Sequence, residues 1–209
     1  MTLCSESRDG IDIGRSIADG QGHYFRLTST WTLDASAAEV ADIVGDAESI
    51  SNWWPSSFLR AEVIQVGDRD RRGATVRLHS KGLLPHTFQF LLRVTSVRYP
   101  ECICFAVRGD FEGDAAVIAQ EREGRLVLFF DWRVTIHQPL IRPLVPLARW
   151  LFVMNHRWSM RSGERALQRE ILLRRGRLQA RRLRPTFPHN IALVLRLYRW
   201  RPTASDWKD

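Results

Sequence analysis

The chain has 209 residues, 44% of them hydrophobic, and a formal net charge of +8. That length and apolar content suit one domain plus an extension and exclude global disorder. The charge is lopsided: Ile141 to Asp209 hold 16 basic and 4 acidic residues, a balance of +12, against −4 for everything before them.

The first residues mix Glu6, Arg8, Asp9, Asp12 and Arg15 with glycines and lack the apolar stretch of a secretory signal. Residues 1–22 read as a flexible arm. From His23 to Leu33, aromatic and β-branched residues dominate, which predicts a strand. Ser36 with Glu39 three residues later forms a capping box, so Ala37 to Gly45 reads as a short helix, stopped at its glycine. Ala47 to Trp54 reads as a second short helix, ended near Pro55. Six strands are then predicted: Leu59 to Val66, Ala74 to Ser80, His86 to Arg98, Glu101 to Arg108, Ala115 to Arg122 and Arg125 to His137. Their close-set Gly and Pro turns, including Gly109 to Gly113, indicate an antiparallel meander.

After Pro139 the apolar period changes from two to 3.6. Leu144, Leu147, Leu151, Met154 and Trp158 recur at three- and four-residue steps, and the pattern runs to about Arg175. A helix of roughly thirty residues, about 45 Å long, needs a sheet to lie on. Residues 176–209 form a basic tail, in which Ile191 to Trp200 is a short amphipathic candidate. This tail either meets an anionic membrane surface peripherally or packs on its own domain or a second subunit.

Several chemistries find no support. There is no GxSxG elbow, phosphate-binding loop or dinucleotide fingerprint. Cys4, Cys102 and Cys104 are an odd set without disulfide or zinc spacing, and no His/Cys set has metal spacing. The expectation is reduced thiols in a cytoplasmic protein, with no metal and no cofactor. No apolar run approaches the ~20 residues of a membrane-crossing helix. The tail arginines lack a recognised nucleic-acid fold around them.

The order of elements is strand, two short helices, a meander, then one long helix. With it come Ala37 to Val40 as an Ala-x-x-Val, Ile-Ser-Asn-Trp-Trp-Pro at Ile50 to Pro55, the acidic glycine-flanked Gly109 to Gly113, and Asn155 to Met160 in the closing helix. Taken together these resemble the SRPBCC or START-like superfamily, the helix-grip fold of the birch-pollen allergen, and within it the polyketide cyclase/dehydrase and lipid-transport branch. The resemblance covers about residues 23–175. It implies an α+β fold, a curved antiparallel sheet of about seven strands around the long C-terminal helix, with an apolar cavity between them.

One alternating set of side chains must face that helix. The cavity candidates are Phe88, Phe90, Leu92, Phe105, Leu128, Phe130, Trp132 and Val134 from the strands. Leu151, Met154 and Trp158 come from the long helix, and Trp53 and Trp54 close one end. The alternative is that the same residues fill a solid core. Among polar groups near the cavity, His86, His156 and Arg108 are weak catalytic candidates, with Asp110 and Asp131 behind them. Asp131 is expected outside if Trp132 points inward. Two functions follow. One is binding or carriage of a hydrophobic small molecule, lipid or polyketide-like. The other is a cyclase or dehydrase acting on such a ligand.

Overall fold

The computed structural model describes residues 18–19, 22–83, 86–137, 143, 145, 149–179 and 183–190. A two-residue strand, β1 (Ala18–Asp19), pairs with β2 (Tyr24–Leu33). Helix α1 (Ala37–Gly45), a 3-10 turn (Ala47–Ser49) and the four-residue α2 (Ile50–Trp53) follow. The meander is β3 (Phe58–Gln65), β4 (Thr75–Lys81), β5 (Thr87–Arg98), β6 (Cys102–Gly109), β7 (Phe111–Arg122) and β8 (Arg125–Ile136), and α3 (Arg149–Arg174) closes the chain. All pairings are antiparallel, in the order β1-β2-β8-β7-β6-β5-β4-β3. The early strand β2 returns beside the last, β8, so the meander is bent around whatever lies against its concave face.

The capping box forms: Glu39 N donates to Ser36 Oγ and Ser36 N donates to Glu39 Oε2. Sequence reading places a turn at Gly109 to Gly113, but β6 and β7 are separated there by Asp110 alone. Gly109 and Gly113 have φ of 126° and 147°, and a Cβ on either would run into backbone of a neighbouring strand. Glycine therefore lets this corner fold back within one residue.

Helix α3 is fastened to β2 by a rail of polar contacts. Ser29 Oγ lies 3.1 Å from His156 Nε2. Thr32 N donates to Glu164 and Asp34 N to Gln168. At the far end Arg175 forms two hydrogen bonds, 2.8 and 2.9 Å, with Glu39 of α1. That guanidinium and the Ser36 backbone hold the Glu39 carboxyl down to about 2. The rail also satisfies N–H groups on an otherwise open sheet edge.

The two sides of α3 overturn part of the sequence reading. Its inward face is Phe152, His156, Ser159, Met160, Gly163, Leu167 and Ile171, not the apolar stripe. Met154 is exposed, and Leu151 and Trp158 are half-buried on the side of the helix turned away from that face. At 100° per residue, a one-position offset between Leu151 and Phe152 is enough to move the stripe off the packing face. Leu144 and Leu147 lie outside the described residues.

The convex face has its own features. Cys102, Cys104, Ala116 and Ile118 form a buried cluster on it. Cys104 forms no disulfide, whereas Cys102 is disulfide-bonded. This corrects the expectation of three reduced thiols. Asp131 is on this face too, but buried rather than solvated, with Arg26 and Arg133 closing over it at 3.3 and 2.9 Å. Residues 183–190 lie against the end of β4. There the buried Lys81 Nζ donates to Thr186 O (3.0 Å), Thr186 Oγ1 (2.6 Å) and Phe187 O (3.3 Å). Burial lowers this ammonium to about 8. The segment Ile191 to Trp200 lies outside the described residues. Among the described residues no helix is long and apolar enough to cross a membrane.

Candidate functional site

The space between sheet and α3 has two halves of different character. In the half near α1 and α2, tryptophans fill it. Trp54 meets Trp31 edge-on with centroids 5.3 Å apart, stacks on Trp53 at 5.7 Å and meets Phe58 at 5.0 Å. Trp54 Nε1 donates to Ser162 Oγ on α3. Gly163 lets the helix approach these rings, because a Cβ there would overlap both Trp54 and Trp31. Leu33, Leu126, Leu128, Leu167 and Ile171 complete a closed core. Of the predicted cavity residues, Trp53, Trp54 and Leu128 belong to this solid half, with Phe130 packed at its margin 4.4 Å from the Trp31 ring.

In the other half the sheet is not fully covered. Val76, Leu92, Phe105 and Val117, on four consecutive strands, face α3 and are only half-buried. Neighbouring strands shield them on either side, so their exposed area opens onto the concave side. Trp132 and Phe152 are likewise half-buried beside them. Phe88, Phe90 and Val134 are buried and form the floor. Phe111 bridges Phe88 and Phe90 at 4.4 and 5.3 Å. These side chains form an apolar, aromatic-rich wall on the concave face beside the first half of α3, the candidate binding trough.

Two histidines border this trough. His86 sits edge-on to Phe88 at 4.7 Å and 6.3 Å from the Phe152 ring. Its Nε2 is buried with no hydrogen-bond partner, and burial lowers its pKa. His156, one turn beyond Phe152, is held by Ser29, and burial lowers it to about 4, with Arg157 adding to the effect. Both rings are therefore neutral near pH 7. Arg108 is exposed on the opposite face, across from Leu91. Asp110 serves the β6–β7 corner, where its Oδ2 accepts from Gln89 N at 2.7 Å. Neither of these enters the trough.

Sequence reasoning missed Phe152, Phe111, Trp31 and Gly163. Phe152 was hidden one residue from the stripe. Phe111 lay in what read as a turn. A second hollow of about 480 Å³ lies outside the Trp53–Phe58 wall, flanked by α2, by Ala166 and Leu173 of α3, and by Leu183 and Pro185. No sequence pattern signalled it. Among the described residues no cluster of His, Cys, Asp or Glu is arranged to hold a metal.

This architecture is the helix-grip, START-like fold. The aromatase/cyclase Zhui from Streptomyces sp. R1128 superposes on 73% of this chain and 96% of its own, with a TM-score of 0.57 and 18% identity. A START superfamily protein from Mycobacterium smegmatis covers 71% of this chain and 97% of its own, with a TM-score of 0.55 and 18% identity. For Ara h 8.0201 the shares are 72% and 99%, the TM-score 0.52 and the identity 12%. No protein-family profile matches the sequence, and no curated protein matches it either.

Proposed function

We propose that the chain binds an apolar, ring-bearing small molecule in the trough between β4–β8 and the first half of α3. The observation that carries this is the half-buried row Val76, Leu92, Phe105 and Val117 on the face that the long helix covers. A concave, mostly apolar surface with few polar groups is the usual form of a small-molecule site. The aromatic walls favour flat or ringed guests, through offset and edge-on contacts. His86 supplies the polar handle. A buried ring nitrogen without a partner costs roughly 1–3 kcal/mol, which a hydroxyl or carbonyl on the guest recovers.

Native mass spectrometry of freshly purified chain tests the proposal. The expected result is an added mass of small-molecule size that disappears on denaturation and is absent from Phe105→Arg. An apolar fluorescent dye should bind wild type and fail to bind that variant. No added mass, together with equal dye binding by both chains, would reject the reading.

A second reading is a cyclase or dehydrase of polyketide-like chains. It is favoured by His86, a neutral imidazole beside Phe88 and Phe152 whose Nε2 is buried without a hydrogen-bond partner, and by the fold shared with an aromatase/cyclase. In that reading His86 would take a proton from carbon next to a carbonyl and return it to the departing oxygen. His156, held near pKa 4, is too weak a base for this role and would position substrate. With a poly-β-carbonyl thioester as substrate, His86→Gln should lower turnover by about a hundredfold or more. Equal turnover in variant and wild type would remove His86 from the reaction.

A further inference from the structure

A short apolar stripe at the start of α3 points away from the body. Trp150 is 65% exposed and Met154 38% exposed. They continue at helical spacing into half-buried Trp158 and exposed Arg157, Arg161 and Arg165. On a 3.6-residue helix these six positions fall within a sector of about 100°, opposite His156 and Gly163. The stripe spans about 22 Å. No carboxylate of α3 competes on this side, because Glu164 is turned to Thr32 N and Glu170 to Arg174. Leu83, 45% exposed, flanks the stripe through the bond from its N–H to Asn155 Oδ1.

We propose that this outer face of α3 docks on an anionic lipid surface. Exposed apolar area of this kind marks an interaction site rather than ordinary surface. Its chemistry fits a bilayer interface better than a protein partner. Tryptophan settles at headgroup level, methionine reaches the acyl boundary, and a row of arginines one turn further on meets lipid phosphates. The apolar half of the stripe lies over the trough, so docking would bring the candidate site to the membrane.

Co-sedimentation of the full chain with phosphatidylcholine vesicles, with and without phosphatidylserine, tests the proposal. Binding should need the anionic lipid and weaken with salt. It should fall by about tenfold or more in Arg157→Gln/Arg161→Gln/Arg165→Gln and in Trp150→Ser/Met154→Ser. Circular dichroism melts of both variants should match wild type, because the changed side chains lie outside the core. As an independent readout, brominated acyl chains should quench wild-type fluorescence more than that of Trp150→Phe. Vesicle binding that both variants retain would place the contact elsewhere, in the tail arginines, and overturn the proposal. No binding to anionic vesicles, or binding to single-stranded RNA in preference to them, would overturn it equally.

Discussion

The two halves of the interior are made from similar residues and do opposite things. Around Trp31, Trp53 and Trp54 the rings interlock with one another and with Gly163, and no room is left. Around Phe105, Trp132 and Phe152 the side chains rest on Phe88, Phe90 and Val134 and stay half-buried. The difference lies in the helix above them. Over the first group α3 presents a glycine and small hydroxyls, so it can approach the tryptophans. Over the second it presents Phe152 and His156, larger side chains that reach to Phe25 and Ser29. Aromatic content alone does not distinguish a closed core from a half-exposed wall; what faces the ring does.

That contrast can be broken by substitution. Trp54→Ala removes a ring touching three others and a hydrogen bond to Ser162, and should cost ~3–5 kcal/mol in denaturant unfolding. Acid should have the next largest effect. His156 and the buried His79 and His189 all have folded pKa values near 4, set first by burial, against an ordinary 6.5. Because these values are depressed, the unfolded chain takes up protons first. Stability should therefore be full above pH 6.5 and fall progressively toward pH 4. For His156 alone the loss is on the order of 3 kcal/mol. His156→Gln should flatten the dependence of melting temperature on pH across that window, and an unchanged slope would contradict the assignment.

Smaller effects sharpen the comparison. Gly163→Ala should cost ~1–3 kcal/mol by overpacking the tryptophan half. Phe105→Ala, on the open wall, leaves no closed void and should cost only ~1–2 kcal/mol while weakening dye binding. His86→Phe replaces an unsatisfied nitrogen with carbon and should leave stability within about 0.5 kcal/mol while weakening ligands that carry a hydroxyl or carbonyl.

The sheet was readable because a period of two survives in most strands, β8 above all, and because Ser36 and Glu39 signal the first helix directly. The strand faces followed, since Leu128, Phe130 and Trp132 all turn toward α3. The helix defeated the same method. Its packing face interleaves His156, Ser159 and Gly163 with Phe152, Met160, Leu167 and Ile171, which dilutes its hydrophobic signal, while Trp150, Met154 and Trp158 supply a strong one on the other side. Pattern reading assumes that the apolar side is the inner side, and at the start of α3 Trp150 and Met154 lie on the outer one. The β6–β7 corner was misplaced for a related reason: glycines that normally announce a loop here permit a reversal within one residue.

Lys81 has a consequence for the end of the chain. Its ammonium is enclosed and finds its acceptors on Thr186 and Phe187, residues more than a hundred positions away. A protein cut after Arg184 would strand that charge in the dark side of β4 with nothing to hold. Residues 183–190 are thus a keystone for the end of β4, and removing them would loosen the body before it revealed anything about what the basic end touches.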